Sequence, residues 1–134
     1  MKASPHDTDE QLRAVLSAFG HIELALLFGS VARGQPHPQS DIDIAVGARR
    51  ALSAEQKIAL IEALAEHTGR PVDLVDLRTV GEPLLGQILR HGRRLLGSDT
   101  AYGELISRHL FDQADFMSYH ARILAERRAA WIGK

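Results

Sequence analysis

Apolar positions along this chain alternate between helical and strand-like runs. In residues 8–20, Leu12, Val15, Leu16 and Phe19 recur at i, i+3, i+4 and i+7, and Thr8 with Gln11 makes a capping box. The spacing predicts a helix stopped by Gly20. Residues 21–28 are mostly apolar and predict a strand running straight into Gly29-Ser30. One helical turn, 30–33, ends at Gly34, and Gln35-Pro36-His37-Pro38-Gln39 reads as a loop before a second strand at 41–46. Ser53 and Gln56 form another capping box, opening a helix with Ile58, Leu60, Ile61 and Leu64 inward and Gly69 at its end before Pro71. A third strand occupies 72–77. Pro83 then suits the first turn of a short helix carrying Leu84, Leu85, Ile88 and Leu89, Gly92 follows it, and 93–96 is a short edge strand.

Residues 99–132 carry the longest helical pattern. At about 1.5 Å per residue it reaches about 45–50 Å, more than a domain of this size is wide, so it must bend, break or protrude. Leu105, Ile106, Leu110, Met117, Ile123 and Leu124, with Phe111, Phe116, Tyr119 and Trp131, supply more apolar surface than one narrow core stripe requires. The whole predicts an α/β fold: a small mixed sheet of three or four strands packed against helices, with the site at one edge of the sheet. One domain is expected over 1–134, with a core at about 8–97 and a helical extension at about 99–132.

Composition narrows the chemistry. The chain has 134 residues, 45% hydrophobic and 25% charged, and no cysteine, which excludes disulfides and thiolate metal sites. The seven histidines are scattered, and none pairs with another at the four-residue helical spacing of a zinc site. No apolar run approaches the roughly 18 residues that cross a bilayer, and the first nine residues are too polar for a secretion signal, so a cytoplasmic protein without a membrane contact is expected. The formal charge of −1 leaves no basic footprint for nucleic acid. Residues 1–67 hold six Lys/Arg against nine Asp/Glu, and 68–134 hold ten against eight, so the more acidic half carries the motif described next.

Asp41 and Asp43 stand two apart and project to one face of a strand, with Ile42, Ile44 and Val46 packing behind them. Adjacent carboxylates repel unless a cation neutralises them, and magnesium suits carboxylate, water and phosphate oxygens. Upstream, with ten residues intervening, Gly29 permits close backbone approach and Ser30 adds a hydroxyl donor, as a phosphate cradle needs. Asp73 and Asp76 are three apart, so a regular strand sends them to opposite faces and only one can join Asp41 and Asp43. Arg33 either steadies a triphosphate or pairs with a surface carboxylate. His37 reads as solvated, and Arg122, Arg127 and Arg128 as a solvated face.

Gly29-Ser30, ten residues, then Asp41-x-Asp43, with Asp73 on a later hydrophobic strand, resembles the signature of the DNA polymerase beta-like nucleotidyltransferase superfamily. Gly-Ser-x-Ala-Arg-Gly followed by Ser-Asp-Ile-Asp-Ile, in a chain this small, is most similar to the minimal nucleotidyltransferases (MNT, MntA-like), over about residues 10–97. The resemblance implies that Asp41 and Asp43 bind magnesium with the nucleoside triphosphate, that Gly29 and Ser30 cradle phosphates, and that Asp73 completes the metal site. Many such proteins are antitoxins of HEPN-domain ribonuclease toxins, and active members transfer AMP from ATP to a toxin tyrosine. No arginine here has a histidine at the spacing of the HEPN motif, so the resemblance makes this chain the transferase half of a pair, with its long C-terminal helix as the partner surface. Two rivals stand beside that reading. One is a non-catalytic antitoxin that masks its toxin, and the other a small-molecule nucleotidyltransferase, for which the chain lacks a second substrate-binding domain.

Overall fold

A computed structural model of the chain describes residues 5–32 and 41–132. Its elements are α1 (Pro5–Ala18), β1 (Ile22–Phe28), α2 (Gly29–Ala32), β2 (Ile42–Ala48), α3 (Ala54–Thr68), β3 (Val72–Asp76), α4 (Leu84–His91), β4 (Arg93–Leu96) and α5 (Asp99–Ile132). The strands form one mixed sheet in the order β3-β2-β1-β4, antiparallel except for the parallel pair β2 and β3. A parallel pair needs a long crossover, and α3 supplies it. This is the α/β fold expected from the sequence.

The two faces of the sheet bury different sets of side chains. Leu12 and Leu16 of α1 and Leu60 and Leu64 of α3 cover one face, packing on Ala25, Leu27, Ile42, Ile44 and Val46. Leu85 and Ile88 of α4 and Leu105 of α5 cover the other, on Leu24, Leu26 and Ala45. Burial on both sides explains why β1 reads as an unbroken apolar run from Leu24 to Phe28 instead of an alternation. A register shift between Ile22 and Leu24 inserts one residue. It accounts for Ile22 sharing a face with Ala25 and Leu27 despite its parity.

Local signals were accurate in α3. Ser53 and Gln56 form the reciprocal capping box, and Gly69 closes the helix at φ 70°. Ile58 is the exception, 56% exposed where an inward position was expected. The buried stripe of α3 is Leu60 and Leu64, and a residue two before Leu60 lies about 200° round the helix, on its outer side. α1 starts at Pro5, so Thr8 lies within the helix and not at its cap.

α5 continues as one helix of 34 residues, about 51 Å long. Its first turns are anchored: Leu105 is buried, Arg108 donates to the carbonyls of Leu77 and Val80, and His109 Nδ1 hydrogen-bonds Glu82 Oε1. Beyond Asp112 the described side chains are exposed except for the half-buried Ile123, so the helix protrudes. Among the described residues no helix is long and apolar enough to cross a membrane.

Candidate active site

Gly29 ends β1 and opens α2 with φ 75°, in the left-handed region that side chains avoid. Its neighbour Phe28 pairs with Asp43 across the sheet. A Cβ built on Gly29 would lie 2.0 Å from Asp43 Oδ2 and 2.9 Å from its carboxyl carbon. Glycine is therefore required twice, for the turn and for the space that the carboxylate fills. The first half of the motif thus meets the second directly, through strand pairing.

Asp43 also pairs in register with Asp73 on parallel β3. Paired residues of neighbouring strands project to the same face, so the two carboxylates stand side by side on the α4 side of the sheet, Asp43 half-buried and Asp73 exposed. Asp41 lies one residue before β2, exposed, outside the strand that the sequence assigned it to. Among the described residues no three His, Cys, Asp or Glu side chains form a group that holds an ion. Ser30 is the second residue of α2, directly after Gly29. Arg33 lies outside the described residues, as does His37.

Asp76 has different work. It is 5% exposed on the opposite face, where Oδ2 accepts from the Leu52 amide at 2.8 Å and Oδ1 from the Arg78 amide at 2.8 Å. Those bonds tie the approach to α3 to the exit of β3, and they leave Asp73 as the β3 carboxylate beside Asp43.

α4 forms the facing wall. Phe28, Gly29 and Asp43 line a groove of about 490 Å³ together with Leu84, Gln87, Arg90 and His91. A second device that the sequence reading missed holds α2 in place. Arg93 on β4 forks onto Asp9 of α1, with Nε 3.0 Å from Oδ2 and Nη2 2.8 Å from Oδ1, and its Nη1 donates to the Ala32 carbonyl at 3.0 Å. Ala32 is the last residue of α2, so this clamp grips the short helix that Gly29 begins. A signal was available: Asp9, Leu12 and Leu16 fall at i, i+3 and i+7, and a carboxylate on a buried stripe implies a partner.

A strand-turn-helix with an obligatory glycine, its carboxylate partner on the next strand and a second aspartate one strand further define a nucleotidyltransferase core. The sequence profile of the family described as polymerase beta, nucleotidyltransferase, matches residues 10–101, and the chain belongs to that family. Protein adenylyltransferase MntA of Shewanella oneidensis (strain ATCC 700550 / JCM 31522 / CIP 106686 / LMG 19005 / NCIMB 14063 / MR-1) is 40% identical over 77 residues, 58% of this chain and 55% of that protein. The match therefore spans about half the length of that curated relative. A crystal structure of a toxin-antitoxin with AMP-PNP superposes with a TM-score of 0.77 at 28% identity, covering 90% of this chain and 98% of that one. The crystal structure of the toxin-antitoxin MntA-HepT superposes with a TM-score of 0.72 at 25% identity, covering 91% and 97% respectively.

Proposed function

We propose that this protein is a magnesium-dependent nucleotidyltransferase that moves AMP from ATP to a tyrosine hydroxyl of a HEPN-type toxin, acting as the antitoxin of the pair. The observation that carries the reading is the Asp43 carboxylate lodged in the space left by Gly29, with Asp73 in register beside it. Family membership and the likeness to an adenylyltransferase support the chemistry. The likeness to toxin-antitoxin structures, one with AMP-PNP, supports the biological role and the nucleotide.

The donor set fits magnesium. Mg²⁺ takes hard oxygen ligands and is held by one or two carboxylates, completing its shell with waters and substrate phosphates. Asp43 and Asp73, with Asp41 just before the strand, offer that arrangement, and a closed three-carboxylate cage is not needed. Bound there, the ion supplies charge neutralisation for the triphosphate and the leaving pyrophosphate.

The chain's own residues do the rest. The Gly29-Ser30 turn seats the triphosphate, and the charge of Arg33 steadies it. Asp73 accepts the proton of the acceptor hydroxyl as its oxygen bonds to the α-phosphorus. The bond from the α-phosphorus to the bridging oxygen breaks, and pyrophosphate leaves with that electron pair. Positioning and fixed charge supply most of the rate, and no covalent intermediate on the protein is required.

The acceptor docks on α5. Ile106, Leu110, Met117 and Leu124 recur at four, seven and seven residues and are 39–62% exposed, with Phe111 and Tyr119 beside them at 72% and 59%. A stripe of this spacing on a protruding helix suits another helix.

Incubation of α-labelled ATP with the purified chain and its genomic-neighbour toxin tests the reading. Label is expected on the toxin and is expected to vanish with Asp41→Asn plus Asp43→Asn. Neutralisation that survives the double substitution without any label would replace catalysis by simple masking.

A further inference from the structure

We infer that α4 is the nucleotide-facing wall of the groove and that Arg90 on it contributes a cation to the donor triphosphate; the inference rests on the transferase reading above. Leu84, Gln87 and Arg90 recur every three residues, followed by His91, and all line the groove opposite Gly29 and Asp43. Leu85 and Ile88 on the other side of α4 are fully buried. The helix thus turns an apolar face to the sheet and a polar face to the site.

Gly92 sets how near that polar face comes. A Cβ there would lie 2.4 Å from the Ile88 carbonyl oxygen, 2.9 Å from that of Leu27 and 3.4 Å from Phe28 Cβ. The chain therefore leaves α4 pressed against the last residues of β1, directly before Gly29. Arg90 and His91 sit at this end of α4, next to the turn that seats phosphates.

Charge balance calls for a cation on this wall in addition to Arg33, and Arg90 is the arginine that lines it. Asp43 and Asp73 make the site negative, and a triphosphate brings more negative charge to it, so binding needs cations from the protein as well as from metal. Arg93 and Arg94, which follow α4 on β4, are committed elsewhere, Arg93 to Asp9 and Ala32 and Arg94 to Asp99. Arg90 is exposed, and among the described residues it makes no salt bridge. Its planar fork matches two phosphate oxygens at once. Phe28 and Leu84 leave an apolar part of the lining for the rest of the nucleotide.

Titration calorimetry of the intact chain with ATP in magnesium, and separately with adenosine, tests this. Arg90→Ala is expected to weaken ATP binding by about ten- to a hundredfold, the loss typical of a charge-assisted hydrogen bond. Adenosine binding and the thermal midpoint should match the wild type, and Arg90→Lys should fall between. Arg50→Ala, an exposed arginine past the far end of β2, controls for net charge and should bind ATP normally. ATP affinity unchanged in Arg90→Ala, or adenosine lost as strongly as ATP, overturns the assignment. If ATP affinity follows Arg90 while no AMP reaches any acceptor, the transferase reading falls and the assignment of Arg90 stands. Transfer at the wild-type KM for ATP in Arg90→Ala has the converse meaning, and a wild-type chain that binds no ATP overturns both.

Discussion

Asp43 occupies the space that a side chain on Gly29 would take, its Oδ2 2.0 Å from where the Cβ would be. Two halves of a motif separated by a loop thereby become one steric unit. Gly29→Ala should displace the carboxylate and strain the turn, destabilising the fold by about 1–3 kcal/mol through the left-handed backbone alone. Nucleotide binding should fall further than that loss of stability explains. Urea unfolding alongside ATP titration checks both, and an alanine variant with the wild-type midpoint would show that the close approach is not a constraint.

Asp73 and Asp76 should separate cleanly by assay. Asp76→Ala leaves the buried amide of Leu52 and the partly buried amide of Arg78 without their acceptor and should lower stability by about 2–4 kcal/mol. Asp73→Asn, at an exposed position, should stay within about 0.5 kcal/mol of wild type while AMP transfer collapses. Chemical denaturation and labelled transfer on the two variants decide it; the opposite pattern would exchange their roles.

The Arg93–Asp9 pair should couple through α2. A double-mutant cycle of Arg93→Leu and Asp9→Asn is expected to return an interaction of about 1–3 kcal/mol, since the bond is bidentate and Asp9 is only 8% exposed. Folded Arg93→Leu should show reduced transfer, because the Ala32 carbonyl loses its hold as well. A coupling energy near zero would make the pair incidental.

On α5, buried and exposed positions should report different properties. Leu105→Ala, at 7% exposure, should destabilise the chain by about 2–4 kcal/mol. Leu110→Asp with Leu124→Asp, both at least half exposed, should leave stability within about 0.5 kcal/mol and weaken capture of the toxin. Binding of the proposed toxin partner to the immobilised chain distinguishes them, and full affinity in the double variant would move the interface off this stripe.

Local devices were readable because their physics is local. The Ser53–Gln56 capping box and the Gly69 stop each depend on residues a few positions apart. Helical period alone also indicated that residues 99–132 must bend, break or protrude. The orientation of a face relative to the rest of the molecule obeys different rules. Ile58 looked inward by hydrophobicity and points out, because only the docking of α3 on the sheet chooses which stripe is buried. The spacing of Asp73 and Asp76 showed that they must diverge but not which one meets Asp43; the parallel register of β2 and β3 settled that, by pairing residues about thirty apart. The α4 wall and the Arg93 clamp were invisible for the same reason. They join elements distant in sequence, and strand order, register and close packing exist only once the chain has folded.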